Sequence, residues 1–99
     1  MKFELTSEQC RFLKALAHQR NPVVMIGNNG LTEAVLREIA INLAAHELIK
    51  IRVQGDDREA RVAMYDTICQ DLDAAPVQHI GKLLVIYRPN NDVNIALPG

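Results

Sequence analysis

The sequence predicts a single α/β domain in which three helices alternate with the strands of one four-stranded mixed sheet. Three observations predict it. Apolar residues recur at helical spacing in three segments, and shorter runs between them are either wholly apolar or alternate with period two. A Gly-led pair, Gly81-Lys82, separates two late strand-like runs in the manner of a hairpin loop. The 99 residues fit one domain over 1–99, and 48% apolar with 23% charged residues is the composition of an ordinary globular chain.

Thr6 followed three residues later by Gln9 is a capping-box pattern that opens a helix from about Ser7 to His18, with Leu13, Leu16 and Ala17 on its inner stripe. Lys14, His18 and Arg20 set positive charge toward its negative end, and Asn21-Pro22 stops it. Val23-Val24-Met25-Ile26 reads as a short strand covered on both faces. Gly27-Asn28-Asn29-Gly30 is then a tight connection, because Gly and Asn tolerate left-handed backbone angles. Thr32 caps a second helix, whose stripe of Val35, Leu36, Ile39 and Leu43 ends near His46.

From Leu48 to Val53 the chain alternates: Ile49, Ile51 and Val53 point one way, and Lys50 and Arg52 the other with Leu48. Gly55-Asp56-Asp57 turns the chain and supplies acidic caps for a third helix from about Arg58 to Leu72. Met64, Ile68 and Leu72 form its stripe, with Arg61 or Tyr65 at the margin. Val77 to Ile80 and Leu83 to Arg88 form the hairpin. Residues 90–99 are turn-rich and expected to be a loosely held tail, although Val93, Ile95 and Leu97 can extend along a sheet edge. The order is α-β-α-β-α-β-β. Strands joined by single helices are expected to pair in parallel through right-handed crossovers, with the hairpin adding an antiparallel member.

A net charge of −1 excludes a surface that is basic all over. Any affinity for nucleic acid must come from a local face. From Arg11 to Arg61 there are eight Lys or Arg against six Asp or Glu, whereas beyond Val62 only Lys82 and Arg88 stand against four aspartates. Cys10 and Cys69 lie far apart, outside any CxxC pair, and read as reduced thiols on apolar helix faces. No charged leader opens the chain and no stretch reaches membrane-spanning length, so a cytoplasmic protein is the expectation.

The segment Ile26 to Thr32 carries the most chemistry. A strand ends, two glycines bracket two small polar residues, and a helix begins. Bare backbone at Gly27 and Gly30 admits a sugar-phosphate chain, and the first amides of a helix favour an anion. Asn28 and Asn29 can donate to phosphate, 2′-hydroxyl or base edges, as in the GXXG loop of KH domains. A strand-to-helix turn also needs Gly and Asn for conformational reasons alone, so the loop by itself does not decide. No Gly-Lys-Ser/Thr follows Gly30 and no third glycine completes a dinucleotide fingerprint.

A longer pattern adds to this. Lys14-Ala15-Leu16-Ala17-His18 and Pro22-Val23-Val24-Met25-Ile26-Gly27-Asn28-Asn29-Gly30-Leu31-Thr32 are followed by His46-Glu47-Leu48-Ile49-Lys50-Ile51 and Asp57-Arg58-Glu59. Ile80-Gly81-Lys82-Leu83-Leu84-Val85-Ile86-Tyr87-Arg88-Pro89 completes it. Nearly the whole chain, in order, resembles the CRM domain (chloroplast RNA splicing and ribosome maturation), and within it the bacterial stand-alone YhbY type. The resemblance implies a fold similar to the C-terminal domain of translation initiation factor three. It also implies RNA binding at the glycine loop, and association with ribosomal RNA in large-subunit precursors. By position Gly27 and Gly30 match the loop glycines, and Lys14, His18, Lys50 and Arg88 match recurrent polar positions. The chain departs from the pattern in its slightly acidic balance and in a tail without Lys or Arg beyond Pro89.

The candidate RNA-binding set is therefore Gly27, Asn28, Asn29, Gly30 and Thr32 in the loop, with Lys14, His18, Arg20, Lys50, Arg52 and Arg88 as cations around it. Lys50 and Arg52 can equally be a solvated sheet face, and helix-end complementarity accounts nearly as well for Lys14, His18 and Arg20. His18, His46 and His79 are too scattered for a metal, and no cofactor is expected. The four aromatics form no stacking platform, so recognition should lean on backbone and shape. No nucleophile with its base and no useful carboxylate pair can be assembled, so no enzyme and no small-molecule substrate are expected. The alternative to RNA binding is a protein-interaction module docking on a ribosomal protein.

Overall fold

Thr6 opens the first helix reciprocally: its Oγ1 accepts the Gln9 N–H at 3.1 Å and Gln9 Oε1 accepts the Thr6 N–H at 3.0 Å. In the computed structural model, which describes residues 4–90 and 95–98, α1 spans Ser7–His18. It is followed by β1 (Val24–Ile26), α2 (Glu33–His46), β2 (Leu48–Val53), α3 (Arg58–Leu72), β3 (Ala75–Ile80) and β4 (Leu83–Tyr87). The other two helices start on side-chain caps. Thr32 Oγ1 takes the Val35 N–H at 3.2 Å, and Asp57 Oδ1 takes the Ala60 N–H at 3.1 Å.

The sheet order is β1-β2-β4-β3. β1 and β2, joined through α2, pair in parallel as expected. β3 does not pair with β2. β4 turns back between them and runs antiparallel to both, with Leu84 opposite Ile51 on one side and His79 on the other. The hairpin thus gives the sheet its buried centre, where Leu84 and Ile86 are fully enclosed, and leaves β3 as an edge. Pro76, which cannot donate to a ladder, is tolerated on that edge, where the register shifts between Pro76 and Gln78.

The two sheet faces are covered unequally. α2 and α3 cover one with Ile39, Leu43, Ile68 and Cys69 against Ile26, Ile51, Val53, Leu84 and Ile86. On the other, Leu13 and Ala17 of α1 pack on Leu48, Val77, Val85 and Tyr87. α1 lies over the β2–β4–β3 side, so the expectation that β1 is covered on both faces fails: Val24 and Ile26 are buried, but Met25 between them is 54% exposed.

The tail also differs from a loosely held one at its described positions. Ile95 is buried in the second core with Leu97 packed beside it. The Pro98 carbonyl accepts Gln9 Nε2 at 3.2 Å. Apolar side chains at Ile95 and Leu97 find the part of the α1 layer that the helix leaves open. Val93 lies outside the described residues. Both cysteines are free thiols, Cys69 buried and Cys10 donating weakly to the Val77 carbonyl. No helix of the described residues is long and apolar enough to cross a membrane.

Candidate nucleic-acid interface

The carboxyl ends of β1 and β2 lie side by side, tied by the Gln54 N–H to the Ile26 carbonyl at 2.9 Å. Each strand is followed by a helix on the same sheet face, so the amino ends of α2 and α3 rise from one edge of the domain. The first connection is the loop Gly27-Asn28-Asn29-Gly30. Gly30 N–H closes it on the Gly27 carbonyl at 3.0 Å, and Thr32 N–H bonds the Gly30 carbonyl at 3.1 Å.

Those bonds, with the Thr32 cap on Val35, engage the amides of Gly30, Thr32 and Val35 internally. The amides of Asn28, Asn29, Leu31, Glu33 and Ala34 have no protein acceptor among the described residues. Asn28 and Asn29 are exposed with them. The arrangement is a set of oriented donors at a positive helix end.

The two glycines are there for different reasons. Gly30 sits at φ +75°, which disfavours any side chain. Gly27 has no such angle, and a Cβ on it would meet nothing nearer than Gln54 Oε1 at 3.7 Å, an ordinary contact. The fold requires glycine at Gly30 but not at Gly27.

Glu33, Asp56 and Asp57 stand at this edge, where Asp56 Oδ1 pairs with Lys82 Nζ at 3.1 Å, but charge on the strands themselves is of one sign. The four strands hold no Asp or Glu, and their only Lys and Arg, Lys50 and Arg52, share the α1 face with Leu48. Arg52 is exposed and pairs in register with Met25, one step from the Ile26–Val53 pair that ends beside the loop. Lys50 follows two residues back, its Nζ donating to the Arg20 carbonyl at 3.0 Å, while Arg20 Nη1 donates to the Leu48 carbonyl at 2.8 Å. These bonds fix both cations and leave further donors on each. His18 borders, with Lys50, Gln78, Ile80, Leu83 and Val85, a depression of about 250 Å³. Lys14 lies one turn before it on the same flank of α1. The structure thus gathers Arg52, Lys50, Arg20, His18 and Lys14 on one face running back from the loop.

Arg88 is not among them. It follows Tyr87 at the level of Leu48, about 13 Å along β4 from the loop end at ~3.3 Å per residue, as far back as the Arg20 guanidinium, but it turns toward α3. Its Nη1 donates to the Leu72 carbonyl at 2.9 Å, closing the end of α3. Thr32 is occupied as a cap.

Two features escape the sequence reading. Arg61, placed there at a stripe margin, is 7% exposed and bonds the Gly55 carbonyl at 3.3 Å through Nη1. Exposed Met25 and Ile80 share the Arg52 face with Leu83, a grouping set by strand register that no local pattern encodes.

Comparison with known proteins finds similar chains along nearly the whole length. An RNA-binding protein of Haemophilus influenzae is 52% identical over 94 residues, which cover 95% of each chain. The Bacillus subtilis protein YqeI, named a probable RNA-binding protein, is 32% identical over 95 residues, covering 95% of this chain and 99% of its own. The solution structure of a hypothetical protein from Staphylococcus aureus superposes with a TM-score of 0.83 at 33% identity, over 96% of this chain and all of that one. The family model of the CRS1 / YhbY (CRM) domain matches residues 5–88, and this chain belongs to that family.

Proposed function

We propose that this chain is a non-catalytic RNA-binding protein of the cytoplasm that assists ribosome assembly by holding ribosomal RNA of large-subunit precursors at the loop Gly27–Gly30. The observation that carries the reading is the row of unengaged loop and helix amides beside a sheet face whose only charged side chains are cationic. A chain of net charge −1 can attract a polyanion in this way, because none of its described acids sits on a strand. The names of the relatives support RNA as the ligand. The precursor assignment rests on the resemblance to the ribosome-maturation domain.

The test is gradient fractionation of cell extract followed by crosslinking of the bound protein to RNA. The chain should sediment with large-subunit precursors and crosslink through residues 27–30. Sedimentation only with free protein would refute the reading. The competing one, a module docking on a ribosomal protein, takes its motive from near-neutral charge and from a tail able to extend along a sheet edge; the one-signed charge of the strands and the packing of Ile95 and Leu97 in the second core weigh against it. Association that survives nuclease treatment would favour it.

A further inference from the structure

The sheet face that carries Arg52 is covered only in part. α1 and Ile95 lie over Leu48, Val77, Val85 and Tyr87, and the cross-strand row nearest the glycine loop is left bare. Register defines that row: Met25 opposite Arg52, Arg52 opposite Leu83, and Leu83 opposite Ile80, one residue from each strand. Met25 is 54% and Ile80 53% exposed, which makes the row an apolar strip interrupted by a single guanidinium. Leu83 is half-buried at the edge of the depression shared with His18 and Lys50. Gln54 Nε2 donates to Met25 Sδ at 3.3 Å, holding the thioether beside Gly27.

Resting on the RNA-binding reading above, the geometry points to this row as the platform for unpaired bases of a single strand whose backbone crosses the loop at Gly27–Gly30. Bases have apolar faces and polar rims. Laid on Met25, Leu83 and Ile80 they bury those faces, the sulfur adds a favourable contact with a π system, and Arg52 stacks or pairs with the same strand. A protein could also cover apolar side chains, but the surroundings select a polyanion. Arg52 lies in the row and His18 and Lys50 border it, no described strand carries a carboxylate, and Asp56 at the row's end is paired with Lys82. A duplex fits poorly, since its stacked bases are closed to the row and it would offer phosphates to aliphatic side chains. Recognition therefore includes bases, held by aliphatic side chains, where the scarcity of aromatics suggests backbone and shape alone.

The test compares an unstructured RNA of about ten nucleotides with an abasic chain of equal length, each titrated against the full protein and its Met25→Thr/Ile80→Thr variant. Both positions are exposed, so the fold should persist; Met25→Thr alone serves if the pair does not fold. The double variant should bind the intact RNA about tenfold more weakly, keep the salt dependence of binding, and respond to the abasic chain as the parent does. Unchanged affinity for the intact RNA, or an equal loss for both RNAs, overturns the platform. So does a wild-type dimer that the substitutions dissociate, since a second copy would then be the occupant. If the parent protein binds neither RNA, the underlying reading fails. If it binds through Gly27 but ignores the row, only the platform fails.

Discussion

The carboxylate of Glu47 accepts the backbone N–H of Ile95 through Oε1 at 2.9 Å, and its second oxygen accepts that of Asn90 at 2.7 Å. Glu47 is fully buried and sits at φ +65° just past the end of α2. Its own carbonyl receives the Arg88 N–H at 2.9 Å. One residue therefore ends a helix, receives the chain leaving β4, and fixes the returning segment against the second core.

Replacing Glu47 with Gln keeps the side-chain length but turns one of those acceptors into a donor facing a backbone N–H. The variant should lose about 1–3 kcal/mol of stability, the cost of leaving a buried donor unmatched. Hydrogen exchange is the sharper measurement. The Ile95 amide should exchange faster while those of β2 and β4 stay protected relative to global unfolding. An Ile95 amide as protected as in the parent would mean that packing of Ile95, and not the carboxylate, holds the segment.

The two loop glycines predict opposite outcomes for the same substitution. Gly27→Ala meets only an ordinary contact, so stability should hold or rise by about 0.4–1 kcal/mol through the unfolded chain, while RNA affinity falls. Gly30→Ala forces a side chain to φ +75° and should cost about 1–2 kcal/mol. Thermal melts and RNA titrations on both variants check this. A Gly27→Ala protein that binds RNA as the parent does would show that no ligand approaches the backbone there.

Helices were legible because each carries its own punctuation. Thr6 with Gln9, Thr32, and Asp57 are local signals that act within one turn, and the structure uses all three as caps. The strand runs were legible too, but their environment was not. Val23 to Ile26 is apolar at every position, and nothing local says that α1 stops short of Met25. The placement of β4 between β2 and β3 depends on which edge the hairpin meets, a non-local choice. At the candidate site the loop could be read residue by residue. The cation row could be read only along β2, where alternation puts Lys50 and Arg52 together; Arg88 was drawn away by a carbonyl of α3.

Arg61 invites a stability experiment. Its guanidinium is always charged, yet it is 7% exposed, bonds one carbonyl at 3.3 Å, and leaves Nε without a partner. Burial of a charge so sparsely compensated opposes folding. Arg61→Met, which preserves length and apolar volume, should leave stability unchanged or raise it by up to about 2 kcal/mol in denaturant titration. A loss above about 1 kcal/mol would show that the bond to Gly55 matters more than the desolvation.

The Tyr65 hydroxyl accepts the N–H groups of Val77 and Gln78 at 3.0 and 3.1 Å and donates to the Val85 carbonyl at 2.5 Å. It thereby satisfies the backbone where the β3 register shifts. Burial, reinforced by the nearby Cys69, pushes its ionisation far above the ordinary tyrosine value of about 10. Above that pH the unfolded chain releases a proton that the folded chain keeps. Tyr65 therefore contributes full stability below about pH 10 and loses it as pH rises, at up to ~1.4 kcal/mol per pH unit. Burial displaces Tyr87 in the same direction, so it adds to the parent's alkaline decline. Tyr65→Phe should be about 1–3 kcal/mol less stable at neutral pH, because two buried donors lose their acceptor. Its decline above about pH 10 should be shallower by one proton. Parallel declines in the two proteins would mean that Tyr65 ionises as readily in the folded domain as in the unfolded chain, which the enclosed hydroxyl at the β3 irregularity does not allow.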